Sequence, residues 1–484
     1  MNVPIRRLAT VVLVMFLALM AATTYYQFFQ ADKLNNDGRN VRTLYRQYGV
    51  FRGPIVVDGK AVASSTPVDD PFKYQRKYAD GSLYAAVTGY YSLVFAPTMI
   101  EASENSVLNG TADELWMQRL RQLFTGEQQQ GASVELTINA KAQKAAEQAL
   151  GNQKGAVVAI EPKTGKILAL YSSPSYDPNK LAGHDTAQAN TNWQKLLNDD
   201  GSPLTNRAIQ GDTYPPGSTF KLVTSAAALE TGDYTPDTVI PAPHTLKYPG
   251  SSKVLTNFAN EVCSPSGKMT IDAALAMSCN TAFAGLGVKV GEDALREQTK
   301  KFGFDTPLSI PMPVTESHFP KTADTAELMR ASIGQGSDKV TPLQVAMISA
   351  AIANGGEQMA PYLVDTVRDS SLRVVSQTTP STLRTSVSQH TADELTSMME
   401  DVVRSGTGTA AQIPGVTVAG KTGTAETAPG QAPHAWFTGF APADDPKVAV
   451  AVIVEHGGQQ GAEGTGGATA APIAKAVMQA VLNG

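Results

Sequence analysis

Cysteine and histidine are scarce in this chain of 484 residues, which contains two cysteines and six histidines. Neither Cys263 nor Cys279 belongs to a Cys-x-x-Cys pair or lies near paired histidines, and no His-Glu-x-x-His occurs. Zinc and iron–sulfur sites need clusters of this kind. The sequence therefore predicts no bound metal, and it indicates no cofactor.

An excess of positive charge is also missing. The chain has 39 basic and 44 acidic residues, and its formal net charge is -5. No continuous basic stripe runs along it, and a protein that follows a nucleic-acid backbone needs such a stripe. Nucleic acid is therefore excluded as a partner.

Long apolar runs are rare, but one stands at the N-terminus. From Leu8 to Phe29 no residue is charged, and a helix of that length crosses a hydrocarbon core of roughly 30 Å. Arg6 and Arg7 precede it, so the positive-inside rule predicts a cytoplasmic N-terminus with the rest of the chain outside the cell. The alternative is a cleaved signal peptide, whose apolar region is usually shorter. We expect an uncleaved, single-pass anchor in the cell membrane.

Length and composition predict at least two folded domains beyond the anchor. Apolar residues make up 42% of the chain, charged residues make up 17%, and glycine and proline are dispersed. We divide the sequence into a tail and anchor at 1–29, a small N-terminal module at 30–130 and a larger domain at 131–484.

The larger domain has strand patterns near both of its ends. These are short runs rich in β-branched or aromatic residues, at Gly155–Glu161, Ile167–Tyr171, Val416–Thr424, Ala435–Ala441 and Lys447–Glu455. Helical patterns dominate between them, for example Thr219–Glu230 and Pro342–Ala353, and a last helix is predicted over Pro472–Leu482. The order predicts an α+β fold in which one antiparallel sheet is covered by helices.

One Ser-x-x-Lys pair occurs in the chain, at Ser218 and Lys221. Prolines and a glycine precede it and a helical pattern follows, so both side chains are expected on one helix face, with Lys221 within reach of Ser218 Oγ. A serine hydroxyl becomes a useful nucleophile when a neighbouring base takes its proton. A lysine serves as that base when burial or a nearby cation lowers its pKa. An exposed helix start remains the alternative for this pair alone.

Two further motifs follow in order: Ser278-Cys279-Asn280, and Lys421-Thr422-Gly423 with Thr424 on a predicted strand. Together with Ser218 and Lys221 they resemble the signature of penicillin-binding proteins and serine β-lactamases. Ser103-Glu104-Asn105 and Lys163-Thr164-Gly165 have similar letters, but both precede Ser218 and break the order.

More of the chain is similar to the same family. The anchor and the short module place the resemblance with the class B, monofunctional penicillin-binding proteins, and in particular with their actinobacterial A-type subgroup. It implies the β-lactamase/transpeptidase-like fold, with a five-stranded antiparallel sheet flanked by helices and a smaller N-terminal domain of the pedestal or dimerisation kind. The further matching segments are Arg52-Gly53-Pro54-Ile55, Asn206-Arg207-Ala208, Gly334-Gln335-Gly336, Thr341-Pro342-Leu343-Gln344 and 436–442.

The resemblance also implies a role for each motif residue. Ser218 would attack and Lys221 would be the base. Ser278 would relay a proton to the leaving group, and Asn280 would donate to a substrate carbonyl. Lys421 would supply a second positive charge.

The strand residues beside Lys421 would bind substrate. The Thr422 and Thr424 hydroxyls would hold its terminal carboxylate, and Gly423 would leave room for its approach. The amides of Ser218 and Thr424 would form an oxyanion hole.

The reaction implied is peptidoglycan transpeptidation, with stem peptides ending in D-Ala-D-Ala as substrates and β-lactams as covalent inhibitors. A D-alanyl-D-alanine carboxypeptidase, or a non-catalytic penicillin-binding sensor or scaffold, remains the alternative. A class A β-lactamase is disfavoured, because Arg296 interrupts its Glu-x-x-Leu-Asn pattern after Glu292. The resemblance further suggests cell-division wall synthesis with unidentified wall or division proteins as partners.

The two cysteines lie sixteen positions apart in a segment that the anchor places outside the cell. We hypothesise a disulfide between Cys263 and Cys279, which would restrain the loop that carries Ser278 and Asn280. Two buried free thiols are the alternative.

Overall fold

The structure is a computed structural model, and it describes residues 3–35, 45, 48–126, 128–428 and 430–484. Residues 1–2, 36–44, 46 and 47 of the predicted tail and N-terminal module lie outside the described residues.

The anchor is a helix with every described side chain exposed. Helix α1 spans Val3–Thr24 and continues as a π-helical turn over Tyr25–Phe29. It is the one helix of the described residues that is long and apolar enough to cross a membrane. It begins before the predicted Leu8, because helical geometry continues through Arg6 and Arg7. The short helix α2 follows at Ala31–Asn35.

The remaining helices belong to the folded body of the chain. In chain order they are α3 Gly81–Thr88, α4 Met99–Ser103, α5 Asn105–Leu108, α6 Trp116–Thr125, α7 Ala140–Leu150, α8 Asn179–Ala182, α9 Thr186–Leu197, α10 Lys221–Leu229, α11 Ile271–Ala276, α12 Asn280–Val290, α13 Glu292–Lys301, α14 Thr325–Ala331, α15 Pro342–Ala353, α16 Gln389–Arg404 and α17 Ala471–Leu482.

The strands form two large sheets and several two-stranded ribbons. In chain order they are β1 Ile55–Val57, β2 Lys60–Pro67, β3 Tyr74–Tyr78, β4 Ser133–Leu136, β5 Gly155–Ile160, β6 Ile167–Ser173, β7 Val239–Pro241, β8 Thr245–Lys247, β9 Val254–Thr256, β10 Lys268–Thr270, β11 Leu308–Ser309, β12 Pro313–Val314, β13 Glu357–Met359, β14 Val364–Arg368, β15 Val374–Gln377, β16 Thr382–Thr385, β17 Ala419–Ala425, β18 His434–Ala441 and β19 Val448–Val454.

The five-stranded sheet confirms the predicted antiparallel architecture. Its order is β17-β18-β19-β5-β6, so β5 pairs with β19 and joins the two ends of the larger domain. Alternate side chains enter two apolar cores, for example Val158 on one face and Val157 on the other. Helices α7 and α17 pack on one face and α15 on the other. Because both faces are covered, the central strands β5 and β19 are apolar throughout.

The six-stranded sheet joins distant parts of the chain. Its order is β15-β14-β4-β1-β2-β3, with β1 and β4 parallel and the other pairs antiparallel. The apolar segment Ile55–Val57 forms β1. Strand β4 follows the predicted boundary at residue 130, and β14 and β15 come much later. The N-terminal sheet is therefore completed by strands that we had not predicted for it.

Candidate active site

An open cleft of about 870 Å³ brings all three motifs together. Ser218, Ser278 and Asn280 line it from the helical side, and Thr422 and Thr424 line it from β17 at the edge of the five-stranded sheet. Neither of the two rejected motif copies lines this cleft.

Ser218 lies on a tight turn that leads into α10. Residues Gly217–Phe220 form a 3₁₀ helix, and the α-helix begins at Lys221, two residues later than the predicted Thr219. Gly217 has a positive φ of 55°, and its amide donates to the Gly334 carbonyl at 2.9 Å. Side chains three residues apart eclipse in a 3₁₀ helix. The turn therefore presents Ser218 and Lys221 on one side.

Lys221 is fully buried and makes three hydrogen bonds, none of them to Ser218. Its Nζ donates to the Ser278 carbonyl at 2.6 Å, to Asn280 Oδ1 at 2.8 Å and to Ser278 Oγ at 3.3 Å. In the described structure the Nζ hydrogens of Lys221 are directed at these three oxygens, and no hydrogen bond joins Nζ to Ser218 Oγ. Burial, and then the charge of Lys421, hold the pKa of Lys221 well below its ordinary value.

Lys421 approaches Ser278 from the opposite side. Its Nζ donates to Ser278 Oγ at 2.9 Å and to the Thr422 carbonyl at 3.0 Å. The side chain is fully buried, and burial lowers the pKa of Lys421 to about 7. Ser278 Oγ therefore accepts from both lysines, which leaves its own hydroxyl hydrogen available for a third group.

The loop around Cys279 is fixed covalently and by a helix cap. A disulfide joins Cys263 and Cys279, with Cα atoms 5.9 Å apart, so the structure adopts the hypothesised bond. Asn257 Oδ1 accepts from the amides of Asn280 at 2.9 Å and Thr281 at 3.1 Å, at the start of α12. Asn257 comes from a distant loop, and no spacing in the sequence indicated it. It holds the loop so that Asn280 Oδ1 meets Lys221.

Strand β17 presents Thr422 and Thr424 to the cleft, and Gly423 faces inward. A Cβ at Gly423 would lie 2.9 Å from Trp436 Cβ and 3.0 Å from Thr219 Cγ2. The absence of a side chain at Gly423 therefore lets the turn Gly217–Phe220, which we call the nucleophile turn, pack on the strand. We had expected this glycine to leave room for substrate instead. Thr422 Oγ1 lies 2.6 Å from Thr407 Oγ1, a partner that the sequence did not reveal.

Gln335 belongs to the matching segment Gly334-Gln335-Gly336, for which the sequence indicated no role. Its Nε2 donates to the Thr424 carbonyl at 3.0 Å, and its Oε1 accepts from the Glu426 amide at 3.1 Å. The adjoining Gly334 has a positive φ of 72° and packs directly on the backbone of Gly217. The Gly334-Gln335-Gly336 segment thus connects the nucleophile turn to the end of β17.

In the part of the chain that the structure describes, no group of three or more metal-binding side chains is close enough to share an ion. The cleft itself contains or adjoins two lysines, hydroxyl groups and amides. Together they offer a nucleophile, a base of lowered pKa and donors for developing negative charge.

Comparisons with known proteins agree with this geometry. The family described as the penicillin binding protein transpeptidase domain matches residues 155–479, and the penicillin binding protein A dimerisation domain matches residues 52–134. The peptidoglycan D,D-transpeptidase PbpA of Mycolicibacterium smegmatis is 45% identical, over 100% of this chain and 99% of the relative. That of Mycobacterium tuberculosis H37Rv is 44% identical over 100% of both chains.

Solved structures of penicillin-binding protein A from M. tuberculosis share the fold. The ceftriaxone acyl-enzyme complex has a TM-score of 0.88 at 44% identity, covering 90% of this chain and 100% of the other. The penicillin G acyl-enzyme complex has a TM-score of 0.85 at the same identity and coverage. The order of the motifs, the five-stranded sheet and these full-length matches agree, and the chain belongs to the class B penicillin-binding proteins.

Proposed function

We propose that this chain is a membrane-anchored peptidoglycan D,D-transpeptidase whose nucleophile is Ser218. The observation that carries the proposal is the position of Ser278 Oγ between Lys221 and Lys421, in the same cleft as Ser218. The full-length relatives are named peptidoglycan D,D-transpeptidases, which supports the same reaction.

Acylation begins with the Ser218 hydroxyl. As Oγ attacks the carbonyl carbon of the penultimate D-Ala, its proton passes to the Nζ of an unprotonated Lys221. The lowered pKa of Lys221 favours that unprotonated form. The amides of Ser218 and Thr424 stabilise the resulting oxyanion in the proposed reaction.

Collapse of the tetrahedral intermediate breaks the C–N bond to the terminal D-Ala. The leaving nitrogen needs a proton, and Ser278 supplies it while Lys221 replaces the one that Ser278 gives up. The hydrogen bond between Lys221 Nζ and Ser278 Oγ provides this path. D-Ala departs, Lys221 is neutral again and Ser218 carries the acyl group.

Substrate is held by both walls of the cleft. The Thr422 and Thr424 hydroxyls on β17 bind the terminal carboxylate, and the positive charge of the nearby Lys421 favours that anion. On the opposite wall, Asn280 uses Oδ1 for Lys221, so its amide nitrogen is the group that donates to a substrate carbonyl.

The amine of a second stem peptide then attacks the acyl-enzyme and forms the cross-link. Hydrolysis by water, the carboxypeptidase reaction, is the alternative second step. The carboxylate nearest to a β-lactamase pattern, Glu292, bonds Arg296 at 2.8 Å and Thr322 Oγ1 at 2.8 Å, and it does not line the cleft. It is therefore not positioned to activate a deacylating water in the cleft.

The anchor and the two domains have separate locations and roles. The N-terminus lies in the cytoplasm, α1 crosses the membrane once, and the regions 30–130 and 131–484 act outside as a pedestal or dimerisation module and as the transpeptidase domain. Unidentified wall or division proteins are its partners in septal synthesis. Localising a tagged copy in dividing cells tests this role, and uniform labelling of the envelope would argue against it.

Labelling with a fluorescent penicillin tests the nucleophile. Ser218→Ala should abolish labelling, and Ser225→Ala is a matched control. Ser225 is buried on α10, and its Oγ has no hydrogen-bond partner among the described residues. Equal labelling of Ser218→Ala and wild type would refute the assignment. Scoring cross-linked product against released D-Ala, with a stem-peptide donor and an added amine, separates transpeptidase from carboxypeptidase.

A further inference from the structure

Helix α6 is packed with its polar face inward and its apolar face outward. Gln118 and Gln122 are 6% and 7% exposed, whereas four apolar side chains of the same helix are largely exposed. At 100° per residue these four lie within about a quarter of the helix circumference. They are Trp116 at 56%, Met117 at 58%, Leu120 at 46% and Phe124 at 81% exposure, and we name them the α6 apolar face.

The inverted orientation is fixed by specific hydrogen bonds. Gln118 Nε2 donates to the Gln130 carbonyl at 2.8 Å, and Gln118 Oε1 accepts from the Ser370 amide at 3.3 Å. Arg121 donates to Ser371 Oγ at 3.1 Å. Rolling the apolar face inward would break these bonds and leave buried amide groups unpaired. The α6 apolar face therefore stays outside and needs an external partner.

The position of α6 restricts what that partner can be. The chain after α6 returns through Gln130, which bridges to Phe51, and the Phe51 carbonyl accepts from the Gly131 amide at 2.8 Å. Phe51 lies where the folded body begins after the anchor, which ends at Phe29. The intervening residues can span at most about 75 Å when fully extended. The tether thus sets an upper limit on the distance between α6 and the membrane that holds α1.

We propose that α6 lies on the surface of this membrane, with its apolar face in the boundary between lipid head groups and acyl chains. Tryptophan is favoured at that depth, and an amphipathic helix binds there through its apolar stripe. A stable protein interface buries about 800 Å² of accessible surface on each partner. The four residues of the α6 apolar face offer less surface than that. The contact is independent of the proposed enzymatic reaction, and it would fix the height of the N-terminal sheet above the bilayer.

Tryptophan fluorescence of the full chain tests the proposal directly. The chain has three tryptophans, none of them in the anchor. Trp436 is fully buried and Trp193 stacks on Phe95 with ring centroids 4.5 Å apart, so Trp116 is the residue most open to a lipid quencher. We would reconstitute the full chain in phosphatidylcholine vesicles with brominated acyl chains and excite at a wavelength selective for tryptophan.

We expect quenching of the wild type to be at least about two-fold greater than that of Trp116→Phe, because a bound helix places its aromatic side chains within reach of the acyl chains. Leu120→Ser combined with Phe124→Ser should lower the quenching of Trp116. Leu197 is an exposed leucine on α9, and Leu197→Ser should leave the quenching unchanged. Labelling by fluorescent penicillin should remain at the wild-type level in all these variants, which shows that they are folded.

Two results would overturn the proposal. One is equal fractional quenching of wild type and Trp116→Phe, which would place α6 away from lipid. The other is a Trp116 emission that ignores brominated lipid but shifts with the protein-to-lipid ratio, because a second copy of the chain would then cover the face.

Discussion

Lys421 Nζ donates to Ser278 Oγ at 2.9 Å, so a residue of β17 and a residue of the loop before α12 meet across the cleft. The same Ser278 oxygen accepts from Lys221 Nζ at 3.3 Å. One hydroxyl therefore couples two buried lysines whose pKa values are both lowered. Four predictions follow from this arrangement and from the residues that support it.

The pH dependence of acylation should depend on Lys421. Lys221 acts as a base only when unprotonated, so the acylation rate should rise with pH as Lys221 loses its proton. Lys421→Gln removes a neighbouring positive charge, which raises the pKa of Lys221. The rising limb of the profile of acylation rate against pH therefore moves to higher pH. At neutral pH we expect acylation to fall about 100-fold or more. The measurement is the second-order rate of penicillin acylation between pH 5 and pH 10, with the exposed Lys447→Gln as control. An unmoved limb would contradict the assignment of Lys221 as base.

The burial of Lys421 should also lower the free energy of unfolding of the chain. The pKa of Lys421 is about 7 in the folded chain, against about 10.4 for an unperturbed lysine. Between these values the unfolded chain binds more protons, so the free energy of unfolding rises with pH across this window. Below pH 7 the folded state carries the full penalty. Lys421→Met should therefore be more stable than wild type at pH 7, by about 1–3 kcal/mol.

That gain should shrink as the pH approaches about 10.4, where both states of the wild type lose the proton. Urea unfolding of both proteins at pH 7 and at higher pH measures the difference. A gain that does not change with pH would mean that burial of charge is not its cause.

Ser278 combines the hydroxyl that we propose as a proton relay with an unfavourable backbone conformation. Its φ is 59°, in the left-handed region that residues with a Cβ seldom occupy. Ser278→Ala and Ser278→Gly both remove the hydroxyl, and both should lose acylation. Glycine relieves the backbone strain, so Ser278→Gly should be more stable than Ser278→Ala by about 1 kcal/mol. Thermal unfolding of the two variants tests this order, and a more stable alanine variant would contradict the strain.

Gln335 should act by positioning the end of β17. Gln335→Glu keeps an acceptor for the Glu426 amide but loses the donor to the Thr424 carbonyl, whereas Gln335→Ala loses both. We expect each to slow acylation about ten-fold, through displacement of Thr424 and its amide. The pH limb set by Lys221 should stay in place. A Gln335→Glu variant with wild-type acylation would show that the Thr424 bond is dispensable.

The sequence predicted the parts of this molecule whose signal is local. The runs of β-branched residues mark the five-stranded sheet because its strands are buried on both faces. Helix α15 has the predicted bounds because Pro342 occupies its first turn and Thr341 Oγ1 caps it at the Gln344 amide. The three motifs meet in one cleft as their order implied.

Other features depend on contacts between distant segments, which no local pattern records. Asn257 and Gln335 are single polar residues whose importance comes from the backbone groups they meet. The hydrogen bonds of Lys221 depend on where the Ser278 carbonyl points, and this is set by the positive φ of Ser278. Glycine at position 423 was expected to admit substrate, and only the position of Trp436 reveals the packing that requires it.

The mixed origin of the six-stranded sheet constrains how the protein assembles. Strand β4 exposes one edge until β14 and β15 arrive, and these strands are synthesised only after the nucleophile turn and α15. Because the chain emerges from its N-terminus, the N-terminal module must wait with an open edge while most of the larger domain is made. Completion of that module thus depends on the chain reaching β15, so a truncated chain that stops earlier should be recognisable by its unpaired β4 edge.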